Sequence, residues 1–291
     1  MESLPRNRLL AALFVLALAE TPILLQLLDL DRRYLFFAFG LAWAVAFYDL
    51  VQPGRRAVWM GLVVYGLTAV TAVPLLLLWL NFRPHVLHQP FGHDLSEPLE
   101  RTLVGLFGVG VREEICKAVT LAGALALGSR LRPRITTREG IVCGAMSGLA
   151  FAAVENLETF HSLCHVEAVT LAHGLDARIA WTVAAALSRL VSTPLAHACW
   201  SGVVGWALTA QGCGLARRLV NAAGAILTCA AIHGLYDGCA AVGNHLGLGV
   251  LLAASFGLLL FLATRPEVAA PPAPASAPIP LSLAPGRPEA L

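Results

Sequence analysis

Two adjacent glutamates and the only lysine of the chain stand within five residues in Glu113-Glu114-Ile115-Cys116-Lys117, inside a run that is apolar apart from Arg112 and these groups. A charged side chain at the centre of a membrane span costs roughly 2.5–3.5 kcal/mol, so such groups must pair with one another or face a wet cavity. On a helix Glu113 and Lys117 are four apart and Glu114 and Lys117 three apart, and both spacings allow an ion pair. A pair that only locks helix packing accounts for one glutamate. Two neighbouring carboxylates repel each other in a low dielectric, an arrangement found more often at proton-transfer sites than in packing contacts.

Three further blocks carry polar groups where lipid should forbid them. Phe151-Ala152-Ala153-Val154-Glu155-Asn156 brings a carboxylate and an amide into an apolar run, and Glu155 reads as a buried functional carboxylate. His197 lies in Leu195-Ala196-His197-Ala198-Cys199-Trp200-Ser201-Gly202; alone, a membrane histidine usually makes a packing hydrogen bond. His233-Gly234-Leu235-Tyr236-Asp237 changes that balance, because it sets an imidazole and a carboxylate four apart on one helix face. That spacing suits two ligands of one metal, or a carboxylate that fixes the tautomer of a working histidine. Glu158 is closer to a span end and reads as reachable by water, Glu20 and Asp49 as packing or interfacial groups, and His161 and His165 as solvated loop histidines. The chain has no G-x-S-x-G, H-E-x-x-H or P-loop, so serine hydrolase, zincin and nucleotide-driven pump chemistries lack their markers.

The elements that must carry these groups follow from composition. Charged residues are 13% and hydrophobic residues 57% of the 291, with a mean hydropathy of +0.72, so the solvent for most of the chain is lipid. At about 20 apolar residues per span, the spans are Leu9–Leu28, Tyr34–Tyr48, Ala57–Leu80, Thr102–Gly128, Gly140–Phe160, Ile179–Leu208, Leu219–Val242 and Leu246–Thr264. The expected fold is an all-α polytopic membrane protein of about eight transmembrane helices. Residues 1–101 would form three N-terminal spans and an outer loop without motifs, residues 102–264 the functional core, and residues 265–291 a disordered Pro/Ala-rich tail. Arg6, Arg8 and Ala17-Leu18-Ala19 mimic a signal peptide, but the apolar run continues past them, which favours an uncleaved span. The run from Ile179 to Leu208 contains Arg189 and Pro194 and is read as one long helix, kinked at Pro194 or preceded by an interfacial segment, rather than as two short spans that would put Arg217 and Arg218 outside.

Arginine fills the short loops at positions 55–56, 130–138 and 217–218 and the amino terminus, which places both termini on the cytoplasmic side, and the expected location is a bacterial cytoplasmic (inner) membrane. Counted from the outer end, Glu113, Glu155 and His233 then lie about 9–18 Å below the surface, at 1.5 Å per residue. Gly140, Gly144 and Gly148, four apart, predict a close helix contact. The seven cysteines have no C-x-x-C pair and read as small packing residues, and a net charge of +2 with a pI near 8.2 is too mild to suggest a nucleic-acid partner.

The four blocks, in this order and on successive spans over about Arg112–Gly238, resemble the PrsW family of intramembrane proteases, a relative of the CAAX prenyl-protease and bacteriocin-immunity superfamily. The resemblance implies proteolysis within the membrane, with the family's glutamate pair on Glu113 and Glu114, its middle acidic position on Glu155 and its histidines on His197 and His233. Its prenyl-protease relatives end the last block in asparagine where this chain has Asp237, which separates this chain from prenyl-substrate chemistry. The implied substrates are membrane-anchored proteins, such as anti-sigma-factor-like regulators, cut near their outer boundary.

Peptide hydrolysis needs an activated water, a polarised carbonyl and a proton for the leaving amine. One carboxylate of the Glu113/Glu114 pair would be the base, with Lys117 holding the other ionised. Glu155, His197, His233 and Asp237 would bind a divalent metal, Zn²⁺ being the best fit, or act directly on the oxyanion and leaving group without a metal. The alternative reading is a proton-coupled transporter or a non-catalytic scaffold using the same buried acids; it predicts inverted repeats, and the sequence has none.

Overall fold

The computed structural model describes residues 32–52, 55–81, 109–131, 135–172, 177–210 and 214–266. These form seven helices: α1 (Arg32–Val51), α2 (Arg55–Asn81), α3 (Val111–Leu131), α4 (Thr137–Ala172), α5 (Ala177–Thr209), α6 (Leu215–Ala241) and α7 (His245–Thr264). The described residues are all-helical, as expected. Four helical segments are long and apolar enough to cross a membrane: Ala57–Leu76, Thr137–Leu157, Leu215–Ala240 and His245–Thr264. Helix α3 falls outside that set because Arg112, Glu113, Glu114 and Lys117 crowd its first two turns. The expected first span, the segment before α3 and the tail lie outside the described residues.

Two long runs test the expected boundaries. The apolar span of α4, Thr137–Leu157, closes near the expected Phe160, but the helix itself continues to Ala172, so His161 and His165 sit on a helix and not in a hydrophilic loop. The polar residues there read as a loop because composition reports solvent contact, whereas a long helix can project beyond the apolar layer without unwinding. The run with Pro194 is one continuous helix, as expected.

Local chemistry explains several helix ends. Thr136 and Glu139 form a reciprocal capping box at the start of α4: Glu139 N donates to Thr136 Oγ1 (3.2 Å) and Thr136 N to Glu139 Oε2 (2.8 Å). Helix α6 ends where Gly243 takes a positive φ of 69°, and the Asn244 side chain then accepts from Gly247 N (2.9 Å) to cap α7.

Helix α4 is the centre of the assembly, with 83% of its span buried against 22–33% for the other three apolar spans. It packs most extensively against α5, and also meets α1, α2 and α3, while α6 and α7 cover the far side of α5. The α4–α5 contact runs along the predicted glycine stripe: a Cβ at Gly140 would strike Thr209 and the Gly205 carbonyl, one at Gly144 the Ser201 carbonyl, and one at Gly148 the His197 carbonyl. Each step of four forward along α4 meets a step of four backward along α5, so the two backbones touch in antiparallel register. The last of these contacts holds the backbone of His197. Gly148→Val should therefore push α5 away and cost about 1–3 kcal/mol of stability from overpacking. It should also displace His197, and thermal melting together with peptidase assay in detergent would register both effects.

Candidate functional site

Four helices deliver the polar blocks to one place. Helix α3 carries its glutamates directly after a π-helical turn at Val109 and Gly110 that runs into it. Gly110, just before it, lies so close to α6 that a Cβ would meet the Ala230 carbonyl and Gly234 N, and this approach sets Glu113 and Glu114 beside His233. Helix α5 supplies His197 through the glycine contact, and α4 supplies Glu155 two turns beyond Gly148.

At the floor of the site Lys117 Nζ donates to Glu114 Oε1 (2.5 Å) and contacts His197 Nδ1 (2.7 Å). Glu114 Oε1 also contacts His233 Nδ1 (3.1 Å). Lys117 and Glu114 are each only 1% exposed, and both histidines 2%. The sequence allowed Lys117 either glutamate, and the close ion pair falls on Glu114. A carboxylate facing His233 Nδ1 holds the ring proton there and leaves Nε2 as a lone pair.

Both imidazoles turn Nε2 toward carboxylates. His197 Nε2 is 2.9 Å from Glu155 Oε2, and His233 Nε2 is 3.5 Å from Asp237 Oδ2 and 3.7 Å from Glu113 Oε2. The four-residue spacing of His233 and Asp237 does place both on one face. Glu113, His197 and His233 each offer a ligand atom, all within 4.8 Å of one another. Glu113 Oε2 is buried and has no hydrogen-bond donor. All seven residues singled out in the sequence thus belong to one cluster.

Aromatic rings wall it. Trp200 stacks on His233 with centroids 4.5 Å apart and is itself fixed by a bond from its Nε1 to Ser255 Oγ (3.0 Å). Phe151 stacks on His197 (5.6 Å), and Lys117 Nζ lies 4.8 Å from the Phe151 centroid. These rings exclude water from the floor and hold both imidazoles in plane. Ser255→Ala should release Trp200 and lower turnover several-fold with little change in stability, since a neutral hydrogen bond contributes only about 1 kcal/mol. Peptidase kinetics and melting curves of that variant would check it.

Glu155, Arg189 and Asp237 are 28%, 34% and 33% exposed, whereas the floor is closed. Arg189, Trp200 and Phe151 were not singled out as site residues in the sequence. An arginine two turns before His197 in an apolar run was the available signal for the first; stacking partners have no such signal, because aromatics are ordinary in membrane helices. The side chains of Glu158, His161 and His165, and all of Glu20, lie outside the described residues. Asp49 sits half-buried in the last turn of α1. Among the described residues Cys116, Cys143, Cys199, Cys229 and Cys239 are free thiols, in keeping with packing roles.

The imidazole nitrogens of His197 and His233, with carboxylate oxygens grouped around them, are a donor set that fits a divalent cation. No curated protein and no solved structure matches the chain. The family model described as PrsW family intramembrane metalloprotease matches residues 56–264, a stretch that takes in α2 through α7 and extends well beyond the four blocks on both sides. With that match over more than two thirds of its length, the chain belongs to the PrsW family and is an intramembrane peptidase.

Proposed function

We propose that the enzyme hydrolyses peptide bonds of membrane-anchored, single-span proteins near the outer boundary of an inner membrane, with Glu113 as the general base. The observation that carries this reading is the division of the two glutamates. Glu114 Oε1 is occupied by Lys117 and His233, whereas Glu113 Oε2 has no donor and lies 3.7 Å from His233 Nε2. Glu114 Oε2 also lacks a donor, but it belongs to a carboxylate already paired with Lys117 at the closed floor. Glu113 is therefore the member of the pair with an oxygen ready to take a proton from water.

His197 and His233, with the Glu155 and Asp237 carboxylates beside them, would hold a divalent metal, Zn²⁺ being the best chemical fit. When bound, such an ion supplies Lewis-acid polarisation of the scissile carbonyl. The chain's own groups do the rest. Glu113 removes a proton from the attacking water as its oxygen bonds to the carbonyl carbon, and later passes that proton to the leaving amine as the C–N bond breaks. Glu114 keeps the His233 proton on Nδ1. A His197 whose Nε2 held the ion would carry its proton on Nδ1, so Lys117 Nζ would give up its 2.7 Å contact with that nitrogen and donate to Glu114 alone. The aromatic wall keeps bulk water from the floor, and substrate enters from the Glu155/Arg189/Asp237 side.

The test is reconstitution of the purified protein in liposomes with single-span substrates. Site-specific cleavage that Glu113→Gln and His233→Ala each abolish supports the reading. Full cleavage by both variants removes it. Enzyme free of bound zinc and indifferent to chelators would leave Glu113 working directly with the histidines, without a metal.

A further inference from the structure

We propose that Arg189 is a positioning residue for the peptidase reaction: its guanidinium clamps one oxygen of Glu155 so that the other is aimed at His197. Arg189 Nη2 bonds Glu155 Oε1 at 2.5 Å, while Glu155 Oε2 meets His197 Nε2 at 2.9 Å, so one carboxylate bridges the two. An arginine whose only task is to survive in an apolar helix extends its stem toward the interface and leaves its head in water. Arg189 instead commits its head to a carboxylate of a different helix while remaining about a third exposed.

The surrounding geometry is built for that clamp. Glu155 and Arg189 continue the antiparallel register that pairs Gly148 with His197, so the glycine contact sets their separation. Asn156 Nδ2 reaches the Arg189 carbonyl (3.5 Å), and Tyr236 OH donates to Ser192 Oγ (2.8 Å) less than one turn further along α5. The clamp also has work to do. Glu155 is 28% exposed, on the open side of the site, and faces a cluster already holding Glu113, Glu114 and Asp237. Without an opposing cation it would be repelled by its neighbours and would rotate toward water. A guanidinium can hold a carboxylate oxygen in a fixed direction because its donors form a rigid planar fork; an ammonium supplies charge without that direction.

The proposal rests on the reading that Glu155 works beside His197. Its test uses the full chain in liposomes, comparing Arg189→Ala, Arg189→Lys, Glu155→Gln and the Arg189→Ala/Glu155→Gln double variant. Arg189→Ala is expected to lower kcat by about 10- to 100-fold, the range for a displaced active-site group. KM and the melting temperature should stay near those of the parent. Arg189→Lys should recover part of the loss, and added guanidinium ion should partly rescue Arg189→Ala but not the double variant. In the Glu155→Gln background the arginine change should have no further effect on kcat. A raised KM with kcat retained, a fall in melting temperature that matches the lost activity, or losses that multiply in the double variant would overturn the proposal. Full activity of Glu155→Gln beside a dead Glu113→Gln would instead remove the underlying role of Glu155, a separate result.

Discussion

Glu113→Gln is expected to lower turnover by about 10²- to 10⁴-fold, the usual contribution of a positioned general base, and to leave the protein folded and its metal content unchanged. The amide keeps the size of the carboxylate but cannot accept a proton from water. Because Glu113 Oε2 has no donor in the structure, no buried partner of that oxygen is stranded by the change. His233→Ala should behave differently. Its Nε2 is flanked by Glu113 and Asp237 and its Nδ1 is held by Glu114, so its loss uncovers these carboxylates and, on the proposed reading, removes a metal ligand. Metal analysis by mass spectrometry alongside cleavage kinetics separates the two: Glu113→Gln inactive with full metal, His233→Ala inactive with reduced metal. If Glu113→Gln also loses the metal, Glu113 is a ligand and not the base.

Lys117→Met should be the most damaging single change to stability, costing about 3–5 kcal/mol, the range for removing one partner of a buried ion pair. Lys117 is 1% exposed and is the cation at the floor that bonds both Glu114 and His197, on two helices. Methionine fills much of the space but leaves the Glu114 carboxylate buried with only the His233 Nδ1–H. Melting in detergent should fall sharply, and turnover should fall with it even below the new melting point. Lys117→Arg should recover little, since a planar guanidinium is larger than the ammonium and the floor is closed by Phe151 and Trp200. A stable, active Lys117→Met protein would show that Glu114 needs no counter-charge.

The candidate site is largely legible in the amino-acid sequence, for a physical reason. Lipid makes each buried charge so costly that it survives only with a partner or a function, so Glu113, Glu114, Lys117, Glu155, His197, His233 and Asp237 stand out against a chain that is 57% hydrophobic. The same solvent forces backbone groups to bond internally, which makes helices the expected outcome. The glycine stripe at 140, 144 and 148 announces a close helix contact but not its partner. Helix ends are less legible. The polar stretch after Phe160 reads as a loop, and α4 nevertheless continues to Ala172, because polarity reports contact with water and not the conformation of the backbone.

Sequence alone determined that the chain is helical, that it is built for lipid, and which side chains must meet. Only the tertiary structure decided how they meet: that Lys117 closes on Glu114 and leaves Glu113 Oε2 without a donor, that His197 Nε2 faces Glu155 while His233 Nε2 faces Asp237 and Glu113, and that Arg189 grips Glu155. The spacings 113–117 and 114–117 are both compatible with an ion pair on a helix, and spacing within one helix cannot choose between them. The choice comes from the neighbours, with Gly110 drawing α3 onto α6 and Gly148 drawing α4 onto α5. These contacts lie between residues tens to more than a hundred positions apart, and no local pattern encodes them.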